Sequence, residues 1–501
     1  MPAVSHQMLH RRQYRDKPLN QCRQILETGE SGCIFVSGKT AMLGSVICLG
    51  WAIAAISALQ GWFVVAMALT ILLIFLGFFL LRQVFGYWNC LSILFWLAHG
   101  LYTVSGPLSW YIQKESVFFH EHIKYADLYV SFCALASLSF VLGTILPTLK
   151  HRQYNTRAIG QFLHPYALRA SSLALLAVAF VLEMTRLSQP QYREALILGK
   201  IYVGFVEGYT SPIIAHLIYT SALLGTLFII QKQISTPSRV KFVLLWLLMC
   251  SPTIITSLIV GGRGLFIGLF FTIFFSNYLI IKFRKITVRL LTVMLAMYLL
   301  FVVIYWARGL TGGLVVGATD SEELISTITE NINLNPASVE FAAPFVNFNI
   351  FYASAETLPL QYGATYIDGI LSVIEYLAYG KLRPNTTELF HQIFYPEALD
   401  GGYGNGFSSI VEAYWNFGVI GVLVVYFLFG LILSQLEIKV NLKPFSPIHL
   451  LYINLIPAVV IIHRSNLGLT FWLLPIIIAV SSYTCYKSFE LLLSRWTARC
   501  R

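Results

Sequence analysis

The sequence predicts an all-α polytopic membrane protein of about twelve transmembrane helices, with a large helical outer loop between the ninth and tenth. Three observations carry that reading. Of the 501 residues, 57% are hydrophobic and only 11% charged, a balance that would leave a water-soluble fold with large exposed apolar patches. Apolar stretches long enough to cross a bilayer recur along the chain. Lys and Arg collect in alternate connections between those stretches.

A hydrocarbon core about 30 Å thick takes roughly 20 apolar residues per helix. Stretches of that kind run over 41–59, 62–81, 89–111, 127–146, 167–184, 211–230, 241–259, 264–281, 288–306, 410–434, 447–463 and 467–486. The chain then divides into a leader over 1–40, spans one to nine over 41–306, an outer loop over 307–409, spans ten to twelve over 410–486 and a tail over 487–501. The leader is polar, groups His10, Arg11, Arg12 and Arg15, and has neither the apolar core nor the small-residue cleavage site of a signal peptide. An uncleaved cytoplasmic segment is expected.

The positive-inside rule orients the bundle. With the N-terminus in the cytoplasm, 24 of the 34 Lys and Arg lie inside, and 18 of the 23 Asp and Glu lie outside. The inverse topology would put clusters such as Lys282, Arg284, Lys285 and Arg289 on the wrong face. Both termini are therefore expected in the cytoplasm. The net charge of +11 follows from this asymmetry, so the implied partner is the bilayer and not nucleic acid. The 8 cysteines form no CxxC pair and fall in spans or cytoplasmic segments, where neither a metal centre nor a disulfide is expected.

The segment 307–409 is too long for a plain connection and too aromatic for disorder. Asp320-Ser-Glu-Glu and Asn385-Thr-Thr-Glu388 read as helix starts with acidic first turns, and Tyr366 to Tyr379 spaces apolar residues at helical intervals. Gly401-Gly-Tyr-Gly-Asn-Gly406 reads as a flexible approach to span ten.

Against an acidic outer face, six arginines stand out: Arg186, Arg193, Arg263, Arg308, Arg383 and Arg464. Singly, each can pair with an outer carboxylate or reach a lipid phosphate. Together they fit anion capture, because guanidinium forks onto phosphate oxygens and never loses its charge. Arg263 lies in Gly261-Gly-Arg-Gly264, which joins spans seven and eight almost alone; its glycines and the following helix N-terminus both favour an anion. Arg464, in His463-Arg-Ser-Asn466, repeats the arrangement between spans eleven and twelve. A general base needs a carboxylate or imidazole beside an acceptor hydroxyl, and Glu412, His391 and Glu388 are the candidates. Glu412 is the most informative, since a carboxylate at the edge of lipid is costly. A salt bridge to one of the arginines would also explain it. His99 and His216, within spans, read as hydrogen-bonded packing residues. No nucleotide-binding loop appears, so energy is expected to arrive with the substrate, and no cofactor is expected.

Three stretches carry a family resemblance: Ile259-Val-Gly-Gly-Arg-Gly264 opening a span, Arg383-Pro384 in the long outer loop, and Glu412-Ala-Tyr-Trp-Asn-Phe-Gly-Val-Ile-Gly421 opening the next span. With them, the span count, the late large loop and the position of Arg464, the chain resembles the O-antigen polymerase (Wzy) type of bacterial polysaccharide repeat-unit polymerases over nearly its whole length. The resemblance implies an architecture like that of metal-independent, lipid-linked glycosyltransferases of the GT-C kind, in the bacterial inner membrane. It implies transfer of a growing glycan from undecaprenyl diphosphate onto the non-reducing end of a new lipid-linked repeat unit, and a chain-length regulator protein as a partner. In that frame Glu412, Glu388 or His391 would take the acceptor proton, while Arg263, Arg464, Arg383 and Arg193 would hold the departing diphosphate. An O-antigen ligase, with His391 as the loop histidine, is the alternative. A flippase for the lipid-linked unit is a third, disfavoured by the scarcity of charges deep in the spans.

Overall fold

The computed structural model describes residues 38–86, 90–112, 123–150, 164–190, 192–193, 210–230, 236–259, 269, 341–379, 386–396, 406–442, 448–465 and 474–499. Every regular element among them is helical: α1 Gly38–Leu59, α2 Phe63–Phe85, α3 Leu91–Ile112, α4 Ala126–Lys150, α5 Pro165–Ser188, α6 Thr210–Ile230, α7 Thr236–Ile259, α8 Ala343–Ala353, α9 Ala364–Tyr379, α10 Thr386–Phe394, α11 Ser409–Leu442, α12 Ile448–Ile461 and α13 Leu474–Arg499, with a 3-10 turn at Ile462–Arg464.

Among the described residues, 8 helices are long and apolar enough to cross a membrane, and two shorter apolar helices cover Ile214–Ile229 and Ile448–Arg464. They coincide with ten of the expected spans. Apart from Leu269, the spans expected over 264–281 and 288–306 lie outside the described residues, as do most of the leader and the Asp320 helix start. Large apolar side chains such as Met42, Leu49, Phe75 and Leu248 point out of the bundle, as they should where the surrounding solvent is hydrocarbon.

The helices pack in two groups. In the first, α11 lies along α4, and α1, α2 and α3 complete the set; in the second, α5, α6, α7 and α13 pack together, and α12 bridges the groups through α3 and α13. The closest approach is between α4 and α11. A side chain at Gly143 would collide with the Phe427 carbonyl, and one at Gly430 with the Phe140 carbonyl. Helices in lipid gain little from hydrophobic burial against each other, so close backbone approach at small residues is what holds them. Ser434 adds a hydrogen bond to the Thr144 carbonyl at 2.9 Å. The second group uses hydroxyls: Ser172 and Ser221 donate to each other's carbonyls at 2.8 Å, and the Trp246 indole donates to Ser221 Oγ at 3.0 Å. His99 and His216 are hydrogen-bonded packing residues as expected, with Ser137 at 2.9 Å and Ser481 at 3.1 Å.

Two fully buried carboxylates belong to the framework and had no place in the span pattern. Glu437, near one end of α11, accepts from the first residue of α3 (Leu91 N, 3.4 Å) and from the Tyr452 hydroxyl of α12. Glu183, near the end of α5, accepts from Thr256 of α7 at 2.9 Å and pairs with Arg186 at 3.6 Å.

Two features depart from the sequence pattern. Helix α8, not anticipated within the outer loop although Pro344 stands in its first turn, is almost wholly buried against α3, α4 and α11. Its Asn349 accepts from Tyr125 N at 2.7 Å and its Asn347 from the Tyr395 hydroxyl at 2.8 Å. The tenth span is not one continuous helix. Phe417 (φ −139°, ψ 20°) and Gly418 (φ 61°, ψ −150°) interrupt α11, leaving a short segment that carries Glu412 and a long one that continues to Leu442.

The α4 to α11 contact leaves no room for a side chain, so Gly430→Leu should be strongly destabilising. Overpacking costs typically about 1–3 kcal/mol, and here the obstacle is backbone. A lowered midpoint of thermal unfolding in detergent measures it; an unchanged midpoint would show that the two helices can part freely.

Candidate functional site

The short first segment of α11 is buried on all sides at Ile410, Val411, Glu412, Ala413, Trp415 and Asn416. Glu412 has no exposed surface, and its Oε1 accepts from the Thr365 hydroxyl at 3.1 Å. Asn416, one turn on, donates to the Glu412 carbonyl at 2.8 Å and to Thr365 Oγ1 at 2.6 Å, and its Oδ1 accepts from Gly363 N at 2.9 Å. The chain entering α9 seals the break in α11, because Gln361 N and Tyr362 N donate to the carbonyls of Trp415 and Asn416 at 2.9 and 3.0 Å. These bonds take up carbonyls that the broken helix would otherwise leave unpaired. A buried carboxylate is tolerable only with such partners. Next to it, the Tyr366 phenol is pushed above its ordinary pKa, first by burial and then by the Glu412 charge.

His391 and Arg464 come from two other directions to the segment that leads into α11, just before Glu412. The segment entering α11 is the meeting point. Phe407 N donates to the Arg464 carbonyl at 2.9 Å. Gly406 lies against the Arg464 side chain, where a Cβ would come within 2.7 Å of Cγ and of Nε. Gly406 also has φ +75°, so both its backbone and its missing side chain make the slot for Arg464. His391, on α10, is buried, with its imidazole hydrogen-bonded to the Gly406 backbone. Burial lowers its pKa from the ordinary 6.5, and that hydrogen bond opposes the shift in part, so the ring is neutral at pH 7. Phe390 packs against Phe407 with tilted rings 5.0 Å apart and Thr386 donates to the Thr365 carbonyl at 3.3 Å, which docks α10 against the segment entering α11 and against α9.

Of the residues marked in the sequence, the structure thus brings Glu412, His391 and Arg464 to one short segment, residues 406–412. Glu388 stands one turn before His391 on α10, half-buried. Arg193 is exposed and follows α5, which packs on α6, α7 and α13, away from this cluster. Arg186 is occupied by Glu183 and lies over the Tyr192 ring at 4.1 Å, so for this arginine pairing with a carboxylate is what the fold uses. Arg263, Arg308 and Arg383 lie outside the described residues. Thr365, Tyr366, Asn416 and Gly406 had no site role assigned from the sequence, although the last three fall in stretches it singled out. Asn416 had a signal in its spacing, four residues after Glu412 on one helical face; Thr365 had none.

Beneath the cluster lies a small cavity lined by His99, Tyr102, Tyr129, Ser408, Tyr426 and His463, among others. Among the described residues its lining combines imidazole, hydroxyl and aromatic groups with Pro344 and Ile410.

Fold and site together define an all-α, multi-pass membrane protein with a buried polar cluster at one end of its bundle. No protein-family model, curated protein or solved structure matches the chain.

Two outcomes follow. Gly406→Ala should displace Arg464 and His391 without unfolding the bundle, seen as an intact thermal transition with changed proteolytic cleavage around residue 406; an unchanged cleavage pattern would mean that the slot is not needed. Because the folded pKa of His391 lies below the unfolded 6.5, its contribution to stability is complete above that pH and is lost as pH falls through the lower folded value. His391→Gln should therefore flatten the acid side of the dependence of unfolding midpoint on pH.

Proposed function

We propose that this protein is a glycosyltransferase that polymerises oligosaccharide repeat units carried on undecaprenyl diphosphate, working at the outer face of a bacterial inner membrane. The observation that carries the reading is the convergence of a buried carboxylate, a neutral imidazole and an arginine on residues 406–412. The resemblance of the Glu412 to Gly421 stretch to that family supports it.

In this reading an acceptor sugar hydroxyl attacks the anomeric carbon of the donor glycan. The new oxygen–carbon bond forms as the bond from that carbon to the diphosphate breaks, and the electron pair leaves with the diphosphate. His391, neutral at pH 7, takes the hydroxyl proton, and Glu412 is the second candidate for that role. Glu388 stands behind them on the same helix as His391. Arg464 faces the charge that develops on the diphosphate, where a preorganised cation lowers the barrier without having to reorient. Arg263 and Arg383 complete the diphosphate clamp in this proposal, whereas Arg193, on the α5 side of the bundle, stands apart from it; a chain-length regulator is the expected protein partner. One observation favours the ligase alternative, in which finished polymer moves to lipid A core: His391, the loop histidine that reading requires, is in the cluster.

A deletion strain should display surface polysaccharide carrying a single repeat unit on an electrophoretic ladder. Complete loss of repeats with an intact core would overturn the polymerase in favour of a ligase or flippase. Arg464→Ala should lower the rate of chain growth by about 10²–10³, the scale for removing one stabilising donor, with the protein still present in the membrane. Wild-type polymer in that variant would remove Arg464 from the mechanism.

A further inference from the structure

The helix α9 belongs to a segment that sequence reading assigns to an aqueous loop, yet it leaves an apolar stripe uncovered. Ile367, Ile370 and Leu371 are 56%, 47% and 37% exposed, at the i, i+3, i+4 spacing that puts them on one helical face. Thr365, on another face, is buried against Glu412. A face of this kind needs an apolar neighbour, and the depth at which α9 is held identifies one.

That depth is set by α11. The tether is firm, because Gln361 N, Tyr362 N and Gly363 N all donate to Trp415 or Asn416 at 2.9–3.0 Å. On α11, side chains up to Asn416 are buried except half-buried Tyr414, whereas Phe417, Val419 and Ile420 are exposed by 42%, 44% and 69%. Exposure to the surroundings on this helix therefore begins at the break. Counted from Glu437 near the other end, a rise of 1.5 Å per residue reaches about 30 Å close to Phe417, the thickness of the hydrocarbon core. With Glu437 taken as the opposite boundary, the break in α11 falls at the edge of the hydrocarbon, and α9 starts there. Its apolar stripe runs on towards exposed Phe417, since a Cβ at Gly363 would meet the Phe417 ring at 3.2 Å and the Tyr366 ring lies 6.4 Å from it. Tyr362, 76% exposed, stands at the level where tyrosines gather at membrane surfaces.

We propose that α9 is an interfacial helix, lying in the boundary layer of the adjoining leaflet with Ile367, Ile370 and Leu371 inserted among the upper acyl chains. Its occupant is the lipid itself, not a second protein chain. Asp368 and Glu375 on the same helix offer no attraction to anionic headgroups, so insertion rests on apolar area. The arrangement holds Thr365 and Glu412 at the depth where the headgroup of a membrane lipid travels. It depends on α11 crossing the membrane and not on the transferase reading.

The test uses the full chain in lipid nanodiscs, with a genetically encoded fluorescent residue at position 370 and, in a second protein, at position 371. Quenching by a phospholipid carrying a nitroxide high on its acyl chain is compared with quenching by aqueous iodide. Both positions should be quenched several-fold more strongly by the lipid nitroxide. Stronger quenching by iodide would show that the helix stands in water and would overturn the proposal. Resistance to both quenchers, with a dimer trapped by cross-linking, would show a second copy on this face and would overturn it equally. Neither result would bear on whether the protein makes polymer.

Discussion

The backbone contact between α4 and α11 is the constraint on which the other arrangements rest. Two glycines, Gly143 and Gly430, let carbonyls of one helix touch the Cα of the other. In lipid such contact supplies dispersion and polar contacts that no apolar side chain would add over the acyl chains it displaces. With α11 held along α4, its end is fixed in space, and Glu412 and Asn416 are fixed with it. Glu437 anchors the opposite end by joining α3 and α12 to the same helix.

The interruption at Phe417 and Gly418 then turns a membrane helix into a platform. A continuous helix would have satisfied its own carbonyls; the broken one presents those of Trp415 and Asn416, and the chain at 361–363 takes them up. That exchange binds the loop between the late spans to the membrane bundle at a defined level. It also brings Thr365 to Glu412, which makes a fully buried carboxylate affordable where water is scarce. The same loop then delivers α10, with His391, against the segment that cradles Arg464.

The cluster is dense in function-bearing groups because three chain segments remote in sequence cross at one glycine. Gly406 accommodates Arg464 through what it lacks and meets His391 through its backbone. Around it, aromatic rings at Phe390 and Phe407 exclude water, which strengthens each polar interaction inside. The proposed transfer of a glycan from a diphosphate carrier asks for such a place, with a proton acceptor on one side and a fixed cation on the other.

The helical, lipid-embedded character of the chain, and the place of ten of the expected spans, were legible in the sequence because hydrocarbon demands long apolar runs whatever their neighbours, and the runs are local. Glu412 was legible because a carboxylate at the edge of such a run is conspicuous, and His391 and Arg464 because their residue types are scarce in apolar surroundings. Their convergence was not, since residues 391, 406, 412 and 464 are joined by packing and not by spacing. The break in α11, the buried helix α8 and the buried carboxylates Glu183 and Glu437 were hidden for the same reason. A glycine in an apolar run reads as a packing surface as readily as a break, and a buried charge shows itself only with its partners. Sequence alone determined a lipid-embedded helical chain and three of its candidate residues. Only the tertiary structure decided that they meet along residues 406–412, because the contacts that place them link parts of the chain far apart in sequence.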